Sequence, residues 1–101
     1  MLAEFSVTPI GAGESVSRYV AECLRLVAES GLDYRVNPMG TVLEGDFDQV
    51  MDLIGRCHKA VRKSCRRVST IIKIDDREGA KGAITSKVAS VESKVGRKLR
   101  I

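Results

Sequence analysis

A chain of 101 residues, 44% apolar and 30% charged, has the size and balance of one folded domain over 1–101, with a core small enough that self-association would add stability. No apolar run approaches the roughly 20 residues needed to cross a bilayer, and residues 1–5 lack the basic and long apolar regions of an export signal, so a cytoplasmic setting is expected. The net charge of +4 reflects 17 Lys and Arg against 13 Asp and Glu, a mild excess that does not by itself point to a nucleic-acid or membrane partner.

Residues 2–8 alternate, with Ala3, Phe5 and Val7 on one side and Glu4, Ser6 and Thr8 on the other, which predicts a half-buried strand. Pro9 ends it, and Gly11 and Gly13 supply a loop. From Ser15, an apolar stripe of Val16, Tyr19, Val20, Cys23, Leu24, Val27 and Ala28 recurs at helical spacing, with Gly31 as a C-terminal stop. A second strand is expected at 33–37 and a third at 41–45, joined through Pro38, Met39 and Gly40.

Asp46, with Gln49 three residues later, predicts a capping box opening a second helix. Its expected buried stripe is Phe47, Val50, Met51, Ile54, Cys57 and Val61. Arg56, Lys59, Arg62 and Lys63 fall opposite and read as a solvated face. The β-branched run at 67–75 predicts a fourth strand, and 76–82 a polar loop. A last helix is expected at about 84–98, with Ile84, Val88, Val91, Val95 and Leu99 as its stripe.

The order β-α-β-β-α-β with an extra C-terminal helix predicts an α+β, ferredoxin-like sandwich: a four-stranded antiparallel sheet with two helices on one face. The other face would then carry Glu4, Ser6, Thr8, Arg35, Asn37, Val42, Glu44, Ser69, Ile71, Lys73 and Asp75. With Val42 and Ile71 exposed among mixed charges, that face is expected to pair with a second copy, giving a dimer or tetramer. Charges buried there would need partners, such as Glu4 or Glu44 with Arg35 or Lys73.

Catalytic chemistry is thin. Cys23, Cys57 and Cys65 form no Cys-x-x-Cys pair; the first two lie on apolar stripes, and Cys65, after the helix, is the more open to reaction. His58 is the sole histidine and has no second ligand at metal spacing, so neither a catalytic residue, a metal nor a cofactor is expected. Phe5 and Tyr34, the strand aromatics, are predicted to face the core, which leaves no stacking platform for RNA.

Three stretches carry a resemblance. Val7-Thr8-Pro9, the run from Asn37-Pro38-Met39-Gly40 to Gly45, and the run from Arg67 to Arg77 stand in register, and Lys87-Val88 with Ser90-Val91 adds to them. Over nearly its full length the chain resembles the small thiamine-binding proteins of the YkoF-like, ferredoxin-like superfamily. The resemblance implies a homo-oligomer, typically a tetramer, that binds thiamine or its hydroxymethylpyrimidine part without catalysis. Ser6, Thr8, Asn37 and Thr41 suit the edge of an aminopyrimidine, Met39 its ring face, and Glu44 or Glu4 the thiazolium charge. Each position also has an ordinary structural use, as a turn former or strand hydroxyl. A regulatory domain of the same topology sensing another metabolite, such as an amino acid, is the alternative.

Overall fold

Alternation along the first strand turns Ala3 and Phe5 toward the helices, where they register against Leu43 and Thr41 of a neighbouring strand. The computed structural model describes residues 1–13 and 16–101. Its elements are β1 (Leu2–Pro9), α1 (Ser17–Glu29), β2 (Asp33–Asn37), β3 (Gly40–Glu44), α2 (Phe47–Ser64), β4 (Val68–Asp75) and α3 (Ala83–Val95). The sheet runs β2-β3-β1-β4 with every pairing antiparallel. This is the expected ferredoxin-like arrangement; the helix start expected at Ser15 lies outside the described residues.

The core lies between one sheet face and the pair α1 and α2. Ala3, Phe5 and Leu43 meet Tyr19, Cys23 and Val27 of α1 and Val50, Leu53, Ile54, Cys57 and Val61 of α2. Leu43, Val27, Val50 and Val61 are wholly shielded from solvent, each such side chain contributing about 1.5–3 kcal/mol. At the start of α2, the Asp46 N–H donates to Gln49 Oε1 at 3.4 Å, part of the capping box. Gly45 before it allows a close approach: a Cβ there would sit 3.0 Å from Leu32 Cδ2. At the end of α1, Ser30 Oγ donates to the Val27 carbonyl at 2.6 Å and accepts from the Leu32 N–H at 3.2 Å, tying off the last turn.

Two side chains assigned to the core lie outside it. Phe47 is 52% exposed and Tyr34 44% exposed. Tyr34 registers with Leu43 and shares its face, but β2 is an outer strand and the helical layer packs on β1 and β4 instead. Phe47 sits in the first turn of α2, ahead of the part that reaches the sheet. The same narrowness leaves Ile72 and Ile74, on the helical side of the other outer strand, partly exposed.

The face opposite α1 and α2 is only half open, because α3 packs on β2 and β3 there. Val42, expected to be exposed, is half-buried, with Ile84 and Val88 of α3 beside it around a small hollow. The charge pairing proposed for Glu44 is replaced by capping. Its carboxylate accepts the Ala83 N–H at 2.9 Å and the Ile84 N–H at 3.3 Å, satisfying two donors at the start of α3. Lys87 pairs with Asp75 at the end of β4. The helix ends three residues short of the expected bound because Gly96 adopts a left-handed φ of 79° and closes it onto the Glu92 carbonyl.

Candidate functional site

The strand lengths open a notch in the sheet. β1 pairs with β4 along all eight residues, Leu2–Pro9. β3 pairs only with Leu2, Ala3, Glu4 and Phe5, because the hairpin reverses through Pro38 and Met39, with Asn37 opposite Gly40. The edge of β1 at Ser6, Val7 and Thr8 therefore runs past the hairpin tip with no strand beside it.

A cleft of about 530 Å³ occupies this notch, well within the size range of small-molecule sites. Ser6, Thr8, Asn37 and Glu4 reach it from the open face of the sheet, and Thr41, Val7 and Val36 from the helical face. Val16, Val20, Cys23 and Leu24 of α1 form its apolar wall, and Met39, 90% exposed, stands at the hairpin tip. Thr41 is the one buried polar residue among those described.

Of the residues singled out in the sequence, Ser6, Thr8, Asn37, Met39 and Thr41 line this one cleft. Glu44 does not; it lies at the far end of β3, engaged with α3. The contribution of α1 was missed. Its signal was the width of the helical stripe: Val16, Val20 and Leu24 form a second row beside Tyr19, Cys23 and Val27, more apolar surface than the core uses.

Among the described lining residues, Glu4 is the one charged side chain. Its stem lies against the hairpin: a Cβ on Gly40 would sit 3.2 Å from Glu4 Cγ and 3.3 Å from the Phe5 carbonyl oxygen. Cys23 reaches the cleft with its thiol turned to α2, where Sγ donates to the Cys57 carbonyl at 3.7 Å and Cys57 Sγ donates to the Cys23 carbonyl at 3.6 Å. The bond to Cys23 and burial push the Cys57 thiol far above its ordinary pKa, which keeps it from acting as a nucleophile. Cys65, expected to be the most reactive, is buried at the end of α2, where its carbonyl accepts from Arg62 Nη1 at 3.2 Å.

His58 Nδ1 lies 2.6 Å from Thr70 Oγ1, away from the cleft. Among the described residues no three His, Cys, Asp or Glu side chains are grouped to hold a metal, and no helix is long and apolar enough to cross a membrane. Arg56, Lys59, Arg62 and Lys63 are exposed. A second cleft of about 640 Å³, between the N-terminus, the 76–82 loop and α3, is lined by mixed charges; Lys87 pairs with Asp75 there, and the Met1 ammonium donates to the Gly45 carbonyl at 2.9 Å.

Residues 3–92 match the family described as thiamine-binding protein. A UPF0045 protein of Mycobacterium tuberculosis is 46% identical over 93 residues, covering 91% of each chain. A solved Methanocaldococcus jannaschii structure superposes with a TM-score of 0.83 at 36% identity, over 89% of this chain and 93% of that one. A Thermotoga maritima structure, described as a candidate thiamine biosynthesis/salvage protein, shares the fold with a TM-score of 0.78 at 21% identity, over 89% of this chain and 96% of that one.

Proposed function

Because the chain belongs to the thiamine-binding protein family, we propose that it is a non-catalytic binding protein that takes thiamine or its hydroxymethylpyrimidine part in the cleft beside β1. The observation that carries this reading is the convergence of Ser6, Thr8, Asn37, Met39 and Thr41 from one strand and one hairpin on a single cleft with an apolar wall. An aminopyrimidine has a polar edge and two flat apolar faces. The Asn37 amide, which both donates and accepts, and the hydroxyls of Ser6 and Thr8 match the edge. Val20 and Leu24 match one face, and the pliable thioether of Met39 the other. Along residues 6–8, the main-chain groups on the side of β1 away from β4 have no neighbouring strand and offer further donors and acceptors to the ring.

On this reading the working unit is a cytoplasmic homodimer or homotetramer. Support comes from apolar side chains left uncovered in one subunit: Ile71 on the half-open face and Val91 and Val95 on α3. A second copy seated there would roof the cleft and exclude water. Calorimetric titration with thiamine and with hydroxymethylpyrimidine tests the function, and absence of heat from both in the intact oligomer overturns it.

A further inference from the structure

We propose that Glu4 sets the charge preference of this cleft, so that it accepts the unphosphorylated, cationic ligand and rejects phosphate esters of the same molecule. This deepens the thiamine reading and rests on it. Thiamine carries one positive charge on its thiazolium ring, its pyrimidine half carries none, and its diphosphate is a net anion. The lining distinguishes these by the sign of its own charge. Neither lysine, arginine nor histidine is among the described lining residues, and Glu4 is the only acid.

Two positive features lie near the cleft without being part of its described lining. The N-terminal turn of α1 begins beside Val16, a lining residue, and a helix end carries only about half a positive charge. Lys73 registers with Glu4 across β4 but borders the adjoining hollow rather than this cleft. The Glu4 stem passes close to the hairpin at Gly40, where an added Cβ would lie 3.2 Å from its Cγ. Glu4 thus enters the same cleft that Asn37 and Met39 line from the hairpin. Thiamine held at Asn37 by its pyrimidine would bring its thiazolium ring near Glu4, whereas a diphosphate tail would meet that acid with no cation among the described lining residues to offset it.

The test is calorimetric titration of the full chain with thiamine, hydroxymethylpyrimidine and thiamine diphosphate, in the native protein and in Glu4→Gln and Glu4→Lys. Native protein should bind thiamine at least about tenfold more tightly than the diphosphate, because the carboxylate attracts one ligand and repels the other. Glu4→Gln should narrow that gap roughly three- to tenfold and leave hydroxymethylpyrimidine affinity unchanged, and Glu4→Lys should reverse the preference. Equal affinity for thiamine and its diphosphate in native protein, with the pyrimidine still bound, overturns the charge selection and spares the site. So does a Glu4→Gln variant that weakens thiamine and the pyrimidine alike. Binding of none of the three overturns both readings.

Discussion

The Glu44 carboxylate accepts the Ala83 N–H at 2.9 Å across 39 positions of sequence, fastening the last helix to the end of the third strand. A second bond to Ile84 makes the acid a remote cap for α3, whose own N-terminal position is a glycine, Gly82, with no side chain to cap it. Glu44→Ala should therefore lower unfolding free energy by about 0.5–2 kcal/mol, the range for lost helix caps. It should leave thiamine affinity unchanged, since the acid lies outside the cleft. Chemical denaturation and calorimetry on one variant check both halves. A selective loss of ligand would instead bring Glu44 into the site.

On the proposed reading, recognition of the pyrimidine edge depends most on Asn37. Removing one partner of a shielded hydrogen bond costs about 1–3 kcal/mol, so Asn37→Ala should weaken binding roughly tenfold or more. The residue is exposed at a strand end, and the fold should keep its melting temperature within a few degrees. His58→Ala, whose side chain bonds Thr70 and is not part of the cleft lining, should leave affinity as it was. Unchanged affinity in Asn37→Ala would move the site away from the hairpin.

Asp75 and Lys87 give a prediction in pH. The hydrogen bond and charge of Lys87 hold the Asp75 carboxyl below its ordinary pKa. A depressed folded value means that the pairing helps the native state above the ordinary carboxylate range, and that the help fades as pH falls through the lowered value. Both side chains are more than half exposed, so the effect on stability should be small. Carbon-detected titration should place Asp75 below the ordinary aspartate range, and Lys87→Ala should return it there. An Asp75 titration unmoved by Lys87→Ala would rule out the pairing in solution.

Self-association is the fourth prediction. Sedimentation at micromolar concentration should give a species of at least twice the 11.0 kDa chain. Ile71→Lys combined with Val91→Lys should shift it toward monomer, because both charges would enter a dry contact. A lone monomer in the native protein would remove the idea that a second copy roofs the cleft.

Periodicity made the scaffold legible. Alternation at 2–8, the stripe from Val50 to Val61 and the Asp46–Gln49 cap are local patterns, and the structure follows them. Phe47 and Tyr34 went astray because a stripe shows which way a side chain points, not how far the covering layer extends. The seat of α3 was hidden for a different reason: it depends on Glu44 meeting Ala83 and Ile84, a contact between distant segments that no local pattern encodes. The hairpin's share of the candidate site could be read from its turn and hydroxyl residues. The wall from α1 could not, since Val20 and Leu24 look like core until the sheet beneath them is seen to stop short.

The short third strand also makes the cleft adjustable by insertion. A strand advances about 3.3 Å per residue, so two residues added to each arm of the β2–β3 hairpin would carry its tip about 7 Å along β1. The lengthened arm would hydrogen-bond to the main chain of Ser6 and Val7 and zip the gap closed, with scarcely any disturbance to the helices behind it. The early reversal between Asn37 and Gly40 is thus what leaves the sheet hollow beside β1.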